Sequence, residues 1–297
     1  MRRLLVAVFA LTLPAAAQAG QATGTEAFVS RDTDGSAVTR VALTWDPRFD
    51  DIEHYVGIKM ERARLVPSDR NGRSAERVYL RFADTGARWK WNGNLGTDGD
   101  TWLGNASLYT EERFRQEYFV EREIIETRQG LDRGLYYTLA GAAFDLPVND
   151  RHIFTAMLGV QDFTGENRRY HFRGRYIAVI KPEWGLSAQL RVRYAHSTEP
   201  GEFDYYSPRW YAEAIPTVQV RRYRGGWIYQ GALGWGRQQD SGAESSQRAR
   251  LAEFIVTSPR RGRDWYLRAG FTYTDTPTLS GANYGYRQFT LQALKTF

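Results

Sequence analysis

The sequence predicts an all-β fold, a transmembrane antiparallel up-and-down β-barrel of about sixteen strands. Three observations predict it. From Thr25 onward apolar and polar residues alternate with period two, and helical periodicity is nearly absent. The apolar faces begin or end in Trp, Tyr or Phe, while the opposite faces stay rich in Arg, Gln, Thr and Gly. The chain also closes on an alternating strand, with Phe289, Leu291 and Ala293 on one face and Phe297 as its last residue.

Composition narrows the choice by exclusion. After the first 20 residues no apolar run approaches the roughly 18 residues a helix needs to cross lipid, so a helical bundle is out. With 9 Trp, 18 Tyr and 15 Phe the chain is too aromatic to be disordered. Zero Cys excludes a disulfide scaffold, a thiol nucleophile, Cys-ligated zinc and a lipoprotein anchor. A soluble sandwich would bury Val, Ile and Leu on its apolar faces. Here aromatics frame those faces, as in the girdles at a membrane interface.

The elements follow in order. Arg2 and Arg3, the apolar run Leu4 to Leu13 and the small-x-small site Ala17-Gln18-Ala19 make residues 1–19 a secretory signal peptide. The barrel is then expected over 20–297. Segments 24–32 and 36–46 are joined by Thr33-Asp34-Gly35, and 54–66 and 75–85 by Asn71-Gly72. Segment 87–96 sets Trp89, Trp91 and Leu95 against Arg88, Lys90, Asn92 and Asn94, and stops at Thr97-Asp98-Gly99. Segments 101–111, 114–128, 135–148 and 152–164 come next, the last closed by Thr164-Gly165-Glu166-Asn167. In 167–180, Tyr170, Phe172, Tyr176 and Ala178 oppose Arg169, His171, Arg173 and Arg175. In 185–198, Leu186, Ala188, Leu190, Val192 and Tyr194 oppose Ser187, Gln189, Arg191 and Arg193, before Glu199-Pro200-Gly201. Segments 210–224 and 226–239 end at Asp240-Ser241-Gly242, and 248–259, 263–276 and 284–297 complete the set. About 17 residues per strand and connection suits a membrane strand of about 9–11 residues plus its turn.

The closing strand resembles the C-terminal signature of bacterial outer-membrane β-barrels, from which Lys295 departs at an outward position that is usually apolar. The expected location is therefore the outer membrane, with membrane lipid and the barrel-assembly machinery as partners. Removing the leader lowers the formal charge from +6 to roughly +4, too little to imply a nucleic-acid partner.

About sixteen strands leave room for an aqueous channel, so the inward residues carry the functional reading. Arg169, Arg173, Arg175, Arg191 and Arg193 form a basic stripe, joined by Arg77, Arg81, Arg88, Lys90, Arg221 and Arg268. Glu117, Glu121 and Glu123 make a localised acidic patch, with Glu61 and Glu213 elsewhere. Two readings stand: arginines paired to Glu across strands stiffen the wall, or the stripe guides an anionic chain.

The part from about 114 to 297 resembles the C-terminal barrels of exopolysaccharide-export porins, those for poly-N-acetylglucosamine and cellulose. The residues carrying this are Asp204-Tyr205-Tyr206-Ser207-Pro208, the strand Ile215-Pro216-Thr217-Val218-Gln219-Val220-Arg221-Arg222-Tyr223, Gly226-Trp227 and Tyr284-Gly285-Tyr286-Arg287. What the resemblance implies is a conduit from periplasm to surface for a secreted polysaccharide, an acidic one given the basic stripe. Those exporters carry a periplasmic tetratricopeptide array before the barrel. Here the leader runs straight into the first strand, so either the tetratricopeptide scaffold is a separate chain and an expected partner, or this protein is an accessory barrel of a similar locus. Tyr79, Tyr109, Tyr205 and Tyr206 are candidates for stacking on sugar rings, and Tyr205, Tyr206 and the Glu117–Glu123 strand for a gate.

A general diffusion porin and a plugged structural barrel fit the same pattern. A lipid-modifying or proteolytic barrel needs a nucleophile beside a base. His196-Ser197 fails, because adjacent strand residues point to opposite faces. His54, beside Asp50, Asp51 and Glu53, is the remaining candidate for a catalytic or cation site. No catalytic residue, metal or cofactor is expected.

Overall fold

The computed structural model describes residues 20–68, 71–259, 264–277 and 285–297. The expected signal peptide and Tyr284 lie outside them. Sixteen strands run in chain order: β1 (Gly20–Arg31), β2 (Ala37–Asp51), β3 (His54–Val66), β4 (Arg73–Thr85), β5 (Lys90–Thr97), β6 (Trp102–Tyr109), β7 (Gln116–Ile124), β8 (Tyr136–Pro147), β9 (His152–Phe163), β10 (Arg168–Lys181), β11 (Leu186–Ser197), β12 (Trp210–Arg224), β13 (Trp227–Asp240), β14 (Gln247–Thr257), β15 (Trp265–Thr274) and β16 (Tyr286–Thr296). Each pairs antiparallel with its sequence neighbours, and β1 pairs with β16, from Ala22 opposite Thr296 to Arg31 opposite Arg287. Closure leaves no strand edge, as lipid demands of every backbone N–H and C=O.

The largest apolar side chains are on the outside. Leu233 is 70% and Trp235 67% exposed, and Leu43, Met60, Leu158 and Phe254 stand out in the same way. An apolar belt on this scale is stable against lipid and not against water. Period-two geometry then turns the alternate, polar residues inward.

Three boundaries differ from the sequence reading by four residues or more. β1 begins at Gly20, and β2 runs on to Asp51 through an irregularity between Trp45 and Arg48 that accommodates Pro47, which has no N–H for the ladder. The segment 114–128 is not strand throughout. It leaves the wall after Ile124 and forms the short helix α1 (Arg128–Arg133), where the alternation predicts more strand. The Thr127 hydroxyl caps α1 by accepting from Gly130 N–H, and Gly134 ends it at φ 66°, the left-handed turn that favours Gly.

The end that carries Gly20 and Phe297 has tight connections such as 52–53 and 225–226, whereas the far end has the long ones, 125–135, 198–209 and 275–285. Short turns face the periplasm in such barrels and long loops the exterior. Lys295 lies at the terminal rim, with Nζ 3.3 Å from Asp264 Oδ2. Its amine reaches past the apolar belt, which is how an outward cation is tolerated there.

Candidate functional site: a lumen in two lanes

On the β1–β4 side, inward charges neutralise one another. Arg77, whose side chain is almost fully buried, binds Glu61 at 3.1 Å and Glu123 at 2.9 Å. Arg40 reaches Glu123 at 3.1 Å and Glu126 of the β7–α1 connection at 2.5 Å. Lys59 bridges Glu26 and Glu61 at 2.9 and 3.2 Å, and Arg81 lies between Glu26 and Asp46. Here the wall-stiffening reading describes the geometry. Two cavities run along this lane and share Phe28, Arg40 and Gln288; Arg268 lines one of them beside Lys59 and Glu26.

α1 closes this lane at the far end. Leu131 packs with the inward Val38, Leu65 and Leu103, all nearly or fully buried, while Arg73 Nη1 donates to Leu131 O at 2.6 Å. Burial pushes the Glu126 carboxyl above its ordinary range, against the pull of the Arg40 guanidinium.

The opposite wall, from β7 to β12, keeps unneutralised cations. Two cavities, about 670 and 400 Å³, share Phe119, Met157, Arg173, Arg193 and Thr276, so they form one axial groove. Arg173 lies directly opposite Arg193 and Arg175 directly opposite Arg191 across the β10–β11 pair. Opposed like charges weaken a strand pair. Arg191 is offset by Glu253 at 2.9 Å, and Arg193 more loosely by Glu213 at 4.0 Å. Among the described residues Arg173 and Arg175 have no carboxylate within 4 Å; Glu213 and Glu121 act on Arg173, and Glu253 and Asp145 on Arg175, only from farther off. They are the groove's free cations.

The other candidates are placed as follows. Arg169 is buried, its Nε donating to Ser197 Oγ at 3.1 Å and its Nη2 to Tyr206 O, so it holds the 198–209 loop. Arg221 faces inward near the terminal end, over the Tyr223 ring. Glu117 accepts from Ser107 Oγ and Arg115 Nη2, each at 2.7 Å; Glu121 accepts from the Tyr137 hydroxyl; Glu123 belongs to the paired lane. Tyr205 is stacked on Phe163 at 4.5 Å, and its hydroxyl accepts from Asn167 Nδ2, while burial raises its pKa. It is a loop anchor with no free ring face. Tyr206 lines the groove mouth and donates to Asp240. Tyr79 is buried under Lys59, and Arg115 lies over Tyr109. Arg88 pairs with Glu112 at the exposed terminal rim.

The far mouth contains parts that the alternation missed. Asp204 clasps α1, its Oδ1 accepting from Thr127 Oγ1 at 2.6 Å and its Oδ2 from Gln129 N–H at 2.8 Å. Asp275–Pro277 leaves β15 and turns inward. Gln238 Nε2 donates to Asp275 O at 3.0 Å, and the Thr276 hydroxyl donates to Glu213 across the mouth. The N-cap Thr127 and the Gly134 stop were the available sequence signals for α1; nothing local marked Asp204 as its partner.

Of the enzyme candidates, His196 and Ser197 separate in space, whereas His54 and Asp51 stay together. His196 lies on the outward face and Ser197 on the inward one, bonded to Arg169. His54 bonds Asp51 at 2.9 Å, while Glu53 takes Lys90 at 3.1 Å.

No family model matches the chain, and no curated protein matches it in sequence. Among solved structures, a bacterial polysaccharide outer membrane secretin superposes with a TM-score of 0.70 at 12% identity, over 93% of this chain and 98% of that one. This chain has the fold of an outer-membrane β-barrel. Pseudomonas aeruginosa OprD is a more distant likeness, with a TM-score of 0.44 at 9% identity over 94% of each chain. At these identities the likeness concerns the fold alone.

Proposed function

We propose that the barrel is a conduit for a secreted acidic polysaccharide, which passes along the arginine groove without chemistry. The observation that carries this is the pair Arg173 and Arg175, inward, without a carboxylate within 4 Å among the described residues and opposed by two more arginines. A moving polyanion offers these cations transient partners, while Glu253 and Glu213 opposite keep binding weak enough for release. The fold likeness to a polysaccharide secretin supports the reading, as does the resemblance of the 204–223 segment to glycan-export barrels. A tetratricopeptide scaffold supplied as a separate chain would complete the periplasmic side.

The test is single-channel recording of the refolded barrel in a planar bilayer, with acidic and neutral oligosaccharides added. Anion selectivity and block by the acidic glycan are expected. In the cell, deletion of the gene should trap the polysaccharide in the periplasm. An open pore that no glycan blocks, with normal surface polysaccharide in the deletion strain, would instead mark a diffusion porin.

A further inference from the structure

The outer surface has a charge arrangement that the channel reading does not use. Arg31 of β1 lies directly opposite Arg287 of β16, and Arg237 of β13 directly opposite Arg248 of β14, all four exposed and outward. Arg64 of β3 is outward too, opposite Thr39 of β2. None of the five has an ion-pair partner among the described residues. Opposed like charges weaken a strand pair, so each arrangement costs stability with no compensating carboxylate.

The rest of the same rim is treated differently. Arg168 pairs with Asp162 at 3.0 Å and Arg122 is held between the rings of Trp102 and Tyr136, while within the patch itself only Arg250 of β14 is neutralised among its described outward arginines, by Asp275 at 2.7 Å. The unneutralised arginines are therefore confined to neighbouring strands from β13 round to β3. Their height is also specific. Arg31, Arg287 and Arg237 each lie two residues beyond an exposed outward apolar side chain, Val29, Phe289 and Trp235. That is about 7 Å past the apolar belt, at headgroup level, on the end opposite the termini and hence in the outer leaflet.

We propose that this patch binds the phosphate groups of an anionic glycolipid of the outer leaflet. Guanidinium forks match phosphate bidentately, and two opposed arginines can share one phosphate, which turns the repulsive pair into a site. The proposal is independent of what the lumen carries.

The test is native mass spectrometry of the folded barrel released from detergent, with bisphosphorylated lipid A, its dephosphorylated form and phosphatidylglycerol as probes. The variants are Arg31→Gln with Arg287→Gln, Arg237→Gln with Arg248→Gln, and all four together; Arg168→Gln, on the neutralised part of the rim, is the control. Because each double variant removes a repulsion at exposed positions, folding is expected to survive, and heat-modifiable migration scores it. Retention of bisphosphorylated lipid A should fall about 10-fold or more in the fourfold variant and stay unchanged in the control. Equal retention by the fourfold variant, equal retention of the dephosphorylated lipid, or phosphatidylglycerol held as tightly would each overturn the proposal.

Discussion

At the residue scale, what matters is which charges are already satisfied. Arg191 has Glu253 and Arg193 has Glu213, but Arg173 and Arg175 have no such neighbour among the described residues. Replacing Arg173 and Arg175 by Gln should therefore remove most of the anion preference, read as a reversal-potential shift toward zero in a salt gradient. Replacing Arg77, with its two carboxylates, should instead cost stability. Leaving Glu61 and Glu123 without their guanidinium is worth about 3–5 kcal/mol, seen as a lower urea midpoint with selectivity little changed. If Arg77→Gln changed selectivity more than the β10 pair, the division of labour would be wrong. Gly104 is a backbone case. Its φ is 135°, and an added Cβ would lie 1.9 Å from Asn94 O across the β5–β6 pair. Gly104→Ala should lower refolding yield without touching the groove.

At the element scale, α1 and the 198–209 loop act as one cover. Asp204 is the clasp, and each hydrogen bond to its carboxylate is worth about 1.5–3 kcal/mol. Asp204→Ala should loosen α1 from the far mouth, raising single-channel conductance and flicker with little loss of barrel stability, since the wall does not depend on it. Unchanged conductance would mean that α1 is held by Leu131 and Arg73 alone. The sixteen strands were legible from alternation and turn residues, because a two-sided wall between lipid and water imposes period two on every strand. α1 was not, because the 114–128 alternation runs on past the point where Thr127 caps a helix. A short helix of six residues is stabilised by its seat against Val38, Leu65 and Leu103, not by its own periodicity.

At the scale of the whole molecule, the two lanes make selectivity an electrostatic property of one side of the pore. Fixed charges lose reach as salt rises, the Debye length shrinking from about 10 Å at 0.1 M to about 3 Å at 1 M. Anion preference should weaken strongly across that range, while conductance continues to rise. Selectivity independent of salt would point to a steric filter in the groove instead.

The sequence by itself determined the barrel, the approximate strand count and which side chains face the lumen, since side-chain direction along a strand is set by parity alone. It also placed Arg173, Arg175, Arg191 and Arg193 together, because β10 and β11 are joined by a tight turn. Only the tertiary structure decided which cations remain free. Arg40 meets Glu126, and Arg77 meets Glu123, across the bore and not along the chain. Closing the sheet brings together charges that no local pattern relates, and it leaves the β10 pair lining the groove without a carboxylate within 4 Å.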